Sequence, residues 1–210
     1  MTAFVEISTG EPGIICPGHI VDFQKDPSRT FNEISIKQLR NYQKLNNSQN
    51  TIAFLREINR SSDSAIARLK YGTEFTGNLV PTGYGFPFEG QSIKYSPRNI
   101  DVFSLLNSAT AVYKIGAESG FTQGIISGVE VDVSIPNPDG RIRFENVIEI
   151  SPIDNLLFCK HGDSGSLVFT RIDDCLYALG MLFATTSTGY AYCIKINKIM
   201  SEYKNLKWLD

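Results

Sequence analysis

A chain of 210 residues that is 42% hydrophobic can bury a full core, as one compact unit or two small packed lobes, which excludes a disordered chain. Its net charge of −2, its pI near 5.8 and the lack of any clustered Lys/Arg stripe exclude a partner recognised through a phosphate backbone, so no nucleic acid is expected. Two histidines and four scattered cysteines show none of the zinc spacings, so neither a metal nor another cofactor is expected.

In chain order, residues 1–6 lack the basic and long apolar regions of a signal peptide, and a cytoplasmic setting is the expectation. Short apolar runs broken by Gly, Asn, Asp and Pro predict strands at 3–7, 13–16, 51–58 and 64–69, while 34–45 fits either a strand or a helix. Pro81, Gly83, Gly85 and Pro87 mark irregular backbone, and residues 88–108 read as a crossing between two lobes, placed at 1–98 and 99–210. Further strands are predicted at 109–115, in a long hairpin at 122–135 and 141–150, and at 166–170, 176–184 and 190–196. Asp139-Gly140 turns the hairpin, because glycine accepts positive φ without steric penalty, and Asp173-Asp174 marks another turn. The uncharged stretch 175–194 is about long enough to span a bilayer, but Thr185-Thr186-Ser187-Thr188-Gly189 at its centre makes it two strands of a hairpin, so no membrane association is expected. Asn197 is placed as the cap of a final helix with Ile199, Met200, Tyr203 and Leu206 at helical spacing. Without a C-x-x-C pair or a secretion signal, Cys16, Cys159, Cys175 and Cys193 are expected as free thiols.

The chemistry concentrates at Gly162-Asp163-Ser164-Gly165-Ser166, followed by the apolar Leu167-Val168-Phe169. A serine hydroxyl is a weak nucleophile unless a base and an orienting acid accompany it. The only two histidines, His19 and His161, both precede Ser164, whereas an α/β-hydrolase elbow reads G-x-S-x-G and puts its histidine after the serine. The order His19, Asp63, Ser164, with separations of 44 and 101 residues, is instead that of the chymotrypsin triad.

From about residue 3 to about residue 200 the chain resembles a trypsin/chymotrypsin-like serine peptidase, specifically the non-secreted bacterial and plant branch. The likeness rests on Ile15-Cys16-Pro17-Gly18-His19-Ile20, Asp63-Ser64-Ala65-Ile66-Ala67-Arg68-Leu69, Val112-Tyr113-Lys114-Ile115-Gly116, Gly120-Phe121-Thr122-Gln123-Gly124, the Gly162–Ser166 turn and Ala178-Leu179-Gly180-Met181-Leu182-Phe183-Ala184. The resemblance implies an all-β fold of two antiparallel β-barrels with a C-terminal helix and a polypeptide substrate cleaved through an acyl-enzyme. Ser164 is then the nucleophile, His19 the general base and acid, and Asp63 the buried carboxylate that orients it, with Asp22, Asp26 and Asp101 lacking the alternating strand that follows Asp63. The backbone N–H groups of Gly162 and Ser164 would form the oxyanion hole. His161 is the rival base and is read as lining the cleft.

In secreted relatives the acid matching Asp163 pairs with a new N-terminus made by cleavage, so here another donor must hold it or it is solvated. Only 18 residues precede His19, where the family spends about three strands. The first barrel is therefore expected to be incomplete, split across a missing N-terminal segment, or completed by a partner, which could also activate the enzyme. At the position of the trypsin pocket acid stands Phe158, with Phe183, Ala184 and Thr185 as the pocket wall and Tyr190 where pocket-opening members carry a small residue. A buried substrate charge facing Phe158 would be costly, so small or medium apolar side chains are expected rather than Arg or Lys. Lys160 and His161 make an acidic preference the second choice. The rival class is a catalytically silent module of the same fold that binds an extended peptide along a strand edge.

Overall fold

The structure is a computed structural model, and it describes residues 3–22, 35–37, 51–97, 100–137, 140–154 and 156–209. Four strands, β1 (Ala3–Glu6), β2 (Pro12–Pro17), β4 (Thr51–Asn59) and β5 (Ser64–Leu69), carry the first half, with the short β3 (Ser35–Lys37) beside β4. β1 and β4 alternate inward and outward, with Ala3 and Val5 buried in one and Ala53 and Leu55 in the other, whereas β2 and β5 are buried along almost their whole length and pack on both faces. A five-residue helix, α1 (Gly18–Asp22), follows β2 directly. Of the segment 34–45, residues 35–37 are strand and the remainder lies outside the described residues.

The second half holds β6 (Ile93–Lys94), α2 (Val102–Asn107), β7 (Ala111–Gly116), β8 (Gly120–Asn137), β9 (Gly140–Pro152), β10 (Leu167–Ile172), β11 (Cys175–Thr185), β12 (Ala191–Lys195), α3 (Ile196–Glu202) and β13 (Lys207–Trp208). Strands β8 and β9 form the long hairpin and pair Asn137 with Gly140; of the Asp139-Gly140 turn, Gly140 has φ +130° and Asp139 lies outside the described residues. The uncharged stretch is the β11–β12 hairpin, as its central polar turn implied, and among the described residues no helix is long and apolar enough to cross a membrane.

The first sheet runs β13-β1-β2-β5-β4-β3. In the second, β10 pairs with both β7 and β11, so the ladder β7-β8-β9-β12-β11-β10 runs in a ring, with β6 added parallel to β11. Membership does not follow a single cut along the chain. Lys207 and Trp208 return to pair with Glu6 and Val5, while Ile93 and Lys94 pair into the second sheet. The final helix starts earlier than its sequence suggests: Lys195, not Asn197, stands at its N-cap, and Tyr203 and Leu206 lie beyond its end.

One core cluster joins the sheets. Val5, Ile15 and Ile66 of the first sheet pack with Phe169, Met181, Phe183 and Ile194 of the second and with Ile199 and Met200 of α3. A second cluster, including Val112, Ile148, Phe158, Val168 and Leu182, fills the β7–β12 ring. Residues that converge on the site therefore sit on two sheets that share apolar burial, the dominant favourable contribution to folding.

Candidate active site

His19 enters from the start of α1, immediately after β2, and Asp63 from the turn between β4 and β5. The register of β2 on β5 pairs Pro17 with Ser64, which brings the two residues beside each other across 44 positions of sequence. Asp63 Oδ2 lies 2.5 Å from His19 Nδ1, and Asp63 Oδ1 accepts the His19 backbone N–H at 2.7 Å. The Asp63 carbonyl accepts the Gly18 N–H at 2.7 Å. Gly18 is required by this close approach, since a Cβ there would meet Asp63 and Ser64 backbone at 3.2 Å. Asp63 is buried while His19 remains half-exposed, leaving its Nε2 side available to a reacting group. Of the other aspartates, Asp101 caps α2 by accepting the Phe103 and Ser104 N–H groups, Asp22 ends α1, and Asp26 lies outside the described residues.

Ser164 is half-buried in the turn before β10, between the exposed Gly162 and the buried Gly165. Among the described residues no hydrogen bond joins Ser164 to His19. The turn's backbone is organised unevenly. The amides of Asp163, Gly165 and Ser166 donate to Lys160, Leu182 and Asp163 carbonyls, whereas those of Gly162 and Ser164 have no acceptor among the described residues. Gly162 has φ +100°, a conformation that favours glycine, and a Cβ on it would stand 2.6 Å from Glu118 Cγ. Two unbonded amides, one of them on a conformationally special glycine and the other two residues on, are the donors an oxyanion requires.

Asp163, one residue before Ser164, is held by groups the sequence reading did not single out. Lys114 of β7 places its ammonium 3.2 Å from Asp163 Oδ2, and both side chains are fully buried. Ser119 Oγ and the amides of Glu118, Ser119 and Lys160 also donate to this carboxylate, at 2.6, 2.9, 3.2 and 2.8 Å. Lys114 donates to Ser119 Oγ as well and lies over the Phe158 ring. Burial pushes the Asp163 carboxyl up, but these donors and the Lys114 charge outweigh it and hold the group at about 2. For Lys114 burial wins, and its ammonium is held below the ordinary value despite Asp163. The donor that Asp163 needs is thus internal. Strand alternation puts Val112 and Lys114 on the inward face of β7, and Gly116 stays without a side chain because a Cβ there would overlap the Asp163 carboxylate.

The residues expected to line a pocket divide into two groups. Phe158 is fully buried in the ring cluster, and its carbonyl accepts the Thr122 hydroxyl. The Thr185 side chain lies beside Cys159 and donates to the Tyr190 carbonyl, while Gly189 packs closely on Leu157, so the turn ending at the partly exposed Tyr190 stands against the segment leading to Phe158. Phe183 instead faces the inter-sheet cluster and packs on Phe144 with the rings tilted and their centroids 4.8 Å apart, with Ala184 partly buried against the same cluster. His161 and Lys160 are exposed beside Gly162. All four cysteines are free, three of them buried, and burial pushes the Cys16 and Cys193 thiols up to about 12. No group of side chains arranged to hold a metal occurs among the described residues.

Solved structures carry the same architecture. A glutamic-acid-specific serine protease, described as using a histidine triad in substrate binding, superposes with a TM-score of 0.63 at 17% identity, covering 98% of this chain and 90% of its own. Nocardiopsis protease matches with a TM-score of 0.62 at 16% identity, over 99% of this chain and 90% of its own. Thermobifida fusca protease A matches at 0.63 and 15%, over 100% and 89%. No curated protein sequence matches. Two sheets, a C-terminal helix and these neighbours define a protein of the chymotrypsin-like fold class. Residues 14–202 match the model of peptidase family S64, and the chain belongs to that family. Its activity class is therefore hydrolysis of peptide bonds in polypeptides.

Proposed function

We propose that the chain is a serine endopeptidase in which Ser164 attacks the scissile carbonyl, His19 takes and returns the proton, and Asp63 holds the imidazole in the tautomer that accepts at Nε2. The observation that carries this reading is the pairing of the formed His19–Asp63 couple with two unbonded amides at Gly162 and Ser164. Attack by Ser164 Oγ forms the bond to the carbonyl carbon, and His19 Nε2 receives the hydroxyl proton. The former carbonyl oxygen takes the negative charge and is met by the two amides, each worth about 3 kcal/mol of transition-state stabilisation. Collapse breaks the C–N bond as His19 protonates the leaving amine, and water then repeats the sequence on the acyl-enzyme.

Because Lys114 supplies the Asp163 counter-charge from within β7, this reading needs no cleavage to create one. The chain's own β13 adds to the first sheet at β1, so part of the completion expected of a partner can come from the C-terminal segment. Four free cysteines support the cytoplasmic assignment. The fully buried Phe158, with the Lys114 ammonium over its ring, supports rejection of Arg and Lys and a preference for small or medium apolar side chains. The exposed His161 and Lys160, set beside a structural neighbour that is glutamate-specific and uses histidines for substrate binding, support an acidic preference as second choice.

The absence of a Ser164–His19 hydrogen bond among the described residues favours one other reading, a silent module that binds an extended peptide. Incubation with an internally quenched peptide library separates the two. Cleavage by the wild-type chain, lost in Ser164→Ala and not directed at Arg or Lys, is the expected result; tight binding without cleavage selects the module.

A further inference from the structure

The turn that carries Asp63 is braced from the other end of the chain. Asp63 has φ +43°, a left-handed conformation uncommon outside glycine, and its own N–H makes only a long 3.4 Å bond to the Arg60 carbonyl. A residue in such a conformation persists only where its surroundings over-determine it. The serines on either side, Ser62 and Ser64, are both fully buried, and their hydroxyls lie 2.7 Å apart. Ser64 Oγ lies 2.9 Å from the Tyr203 hydroxyl, which in turn donates to the Ser64 carbonyl at 2.9 Å. The three groups satisfy one another in a consistent direction: Ser62 donates to Ser64, Ser64 to Tyr203, and Tyr203 to the Ser64 carbonyl. Burial pushes the phenol well above its ordinary range, so it stays protonated and able to donate.

Tyr203 stands just past α3, 139 residues from Ser64, with its ring in the inter-sheet cluster. A phenylalanine would fill that position equally well in volume. What only tyrosine supplies is the hydroxyl that ends the chain of bonds under Asp63, in a site where an unpaired buried polar group is costly.

We propose that Tyr203 is a positioning residue: through Ser64 and Ser62 its hydroxyl holds the Asp63 turn in the conformation that aims the carboxylate at His19 Nδ1, coupling the C-terminal segment to the orienting half of the site. The proposal rests on the triad reading for its catalytic consequence and on the His19–Asp63 hydrogen bond for its structural one, and the two are measured separately.

The test compares wild type with Tyr203→Phe and Ser62→Ala, using steady-state hydrolysis of a peptide substrate and the downfield proton NMR signal of the His19 Nδ1–H. Asp63→Asn identifies that signal by removing the carboxylate charge that draws it downfield, and His161→Ala leaves it in place. In Tyr203→Phe, kcat is expected to fall about tenfold with KM nearly unchanged, the size of one lost hydrogen bond, while the signal moves upfield. Ser62→Ala, a milder change that leaves Tyr203 and Ser64 bonded, should move both readouts in the same direction by less, and it decides the matter if Tyr203→Phe does not fold. An unmoved signal and unchanged kcat in a folded variant, even one with a lowered Tm, would overturn the proposal, because a purely structural tyrosine predicts that pattern. If the wild-type chain hydrolyses nothing but the signal still moves in Tyr203→Phe, the positioning role stands and the hydrolase reading falls.

Discussion

His19 and Asp63 are fixed by neutral groups, whereas the turn carrying Ser164 is fixed by buried charge. On the first sheet the holding contacts are backbone amides of Gly18 and His19 and the hydroxyls of Ser62, Ser64 and Tyr203. On the second, a fully buried ion pair joins Lys114 to Asp163, the residue before Ser164, with four further donors on the carboxylate. Loss of one member of a neutral bracket leaves an unpaired polar group. Loss of one member of a buried ion pair costs more, since it leaves the other charge uncompensated. The two halves should accordingly differ in how mutation acts: through geometry and rate on the first sheet, and through folding as well on the second.

The largest effect tests whether the halves work as one machine. Ser164→Ala and His19→Ala should each lower kcat by up to about 10⁶-fold with the fold retained, and the double variant should be no worse than either, as measured by peptide hydrolysis and circular dichroism. Strict additivity would separate the halves. Asp63→Asn comes next, with a loss on the order of 10⁴ if the imidazole adopts the wrong tautomer. A loss of only a few-fold would move the orienting acid elsewhere.

Lys114→Met probes the charged half. It should lower unfolding free energy in urea by about 3–5 kcal/mol, and adding Asp163→Asn should recover part of the loss. The same pair fixes the acid response. Asp163 is held at about 2, below its unfolded value, so its contribution is fully present above pH ~4 and is lost as pH falls toward about 2. The urea midpoint of wild type should therefore fall through that window, and Asp163→Asn should lack this component. The smallest effect is expected at His161, which is exposed and outside both brackets: His161→Ala should keep kcat and change KM or side-chain preference. A variant as inactive as His19→Ala would make His161 the base.

Strands were legible where an apolar run is bounded by turn residues. β5, from Ser64 to Leu69, has the predicted bounds, and β11 and β12 flank the predicted polar turn. The two-residue strands β6 and β13 carry no periodicity and are formed by tertiary pairing alone, so Ile93-Lys94 and Lys207-Trp208 left no trace. Helix α2 went unread although Asp101 stands as a cap before an apolar run. His19, Asp63 and Ser164 could be ordered from the sequence, but their holders could not. Lys114 reads as an ordinary strand lysine until Gly116 and Asp163 are seen to face it, and Tyr203 reads as a helix-face residue until the helix ends at Glu202.

The most direct test of the account is reaction of the folded chain with a fluorophosphonate, followed by peptide mass spectrometry to locate the adduct. The account predicts one adduct per chain on Ser164, absent in Ser164→Ala and strongly reduced in His19→Ala. A wild-type chain that takes no label, or equal labelling of Ser164→Ala, would contradict it.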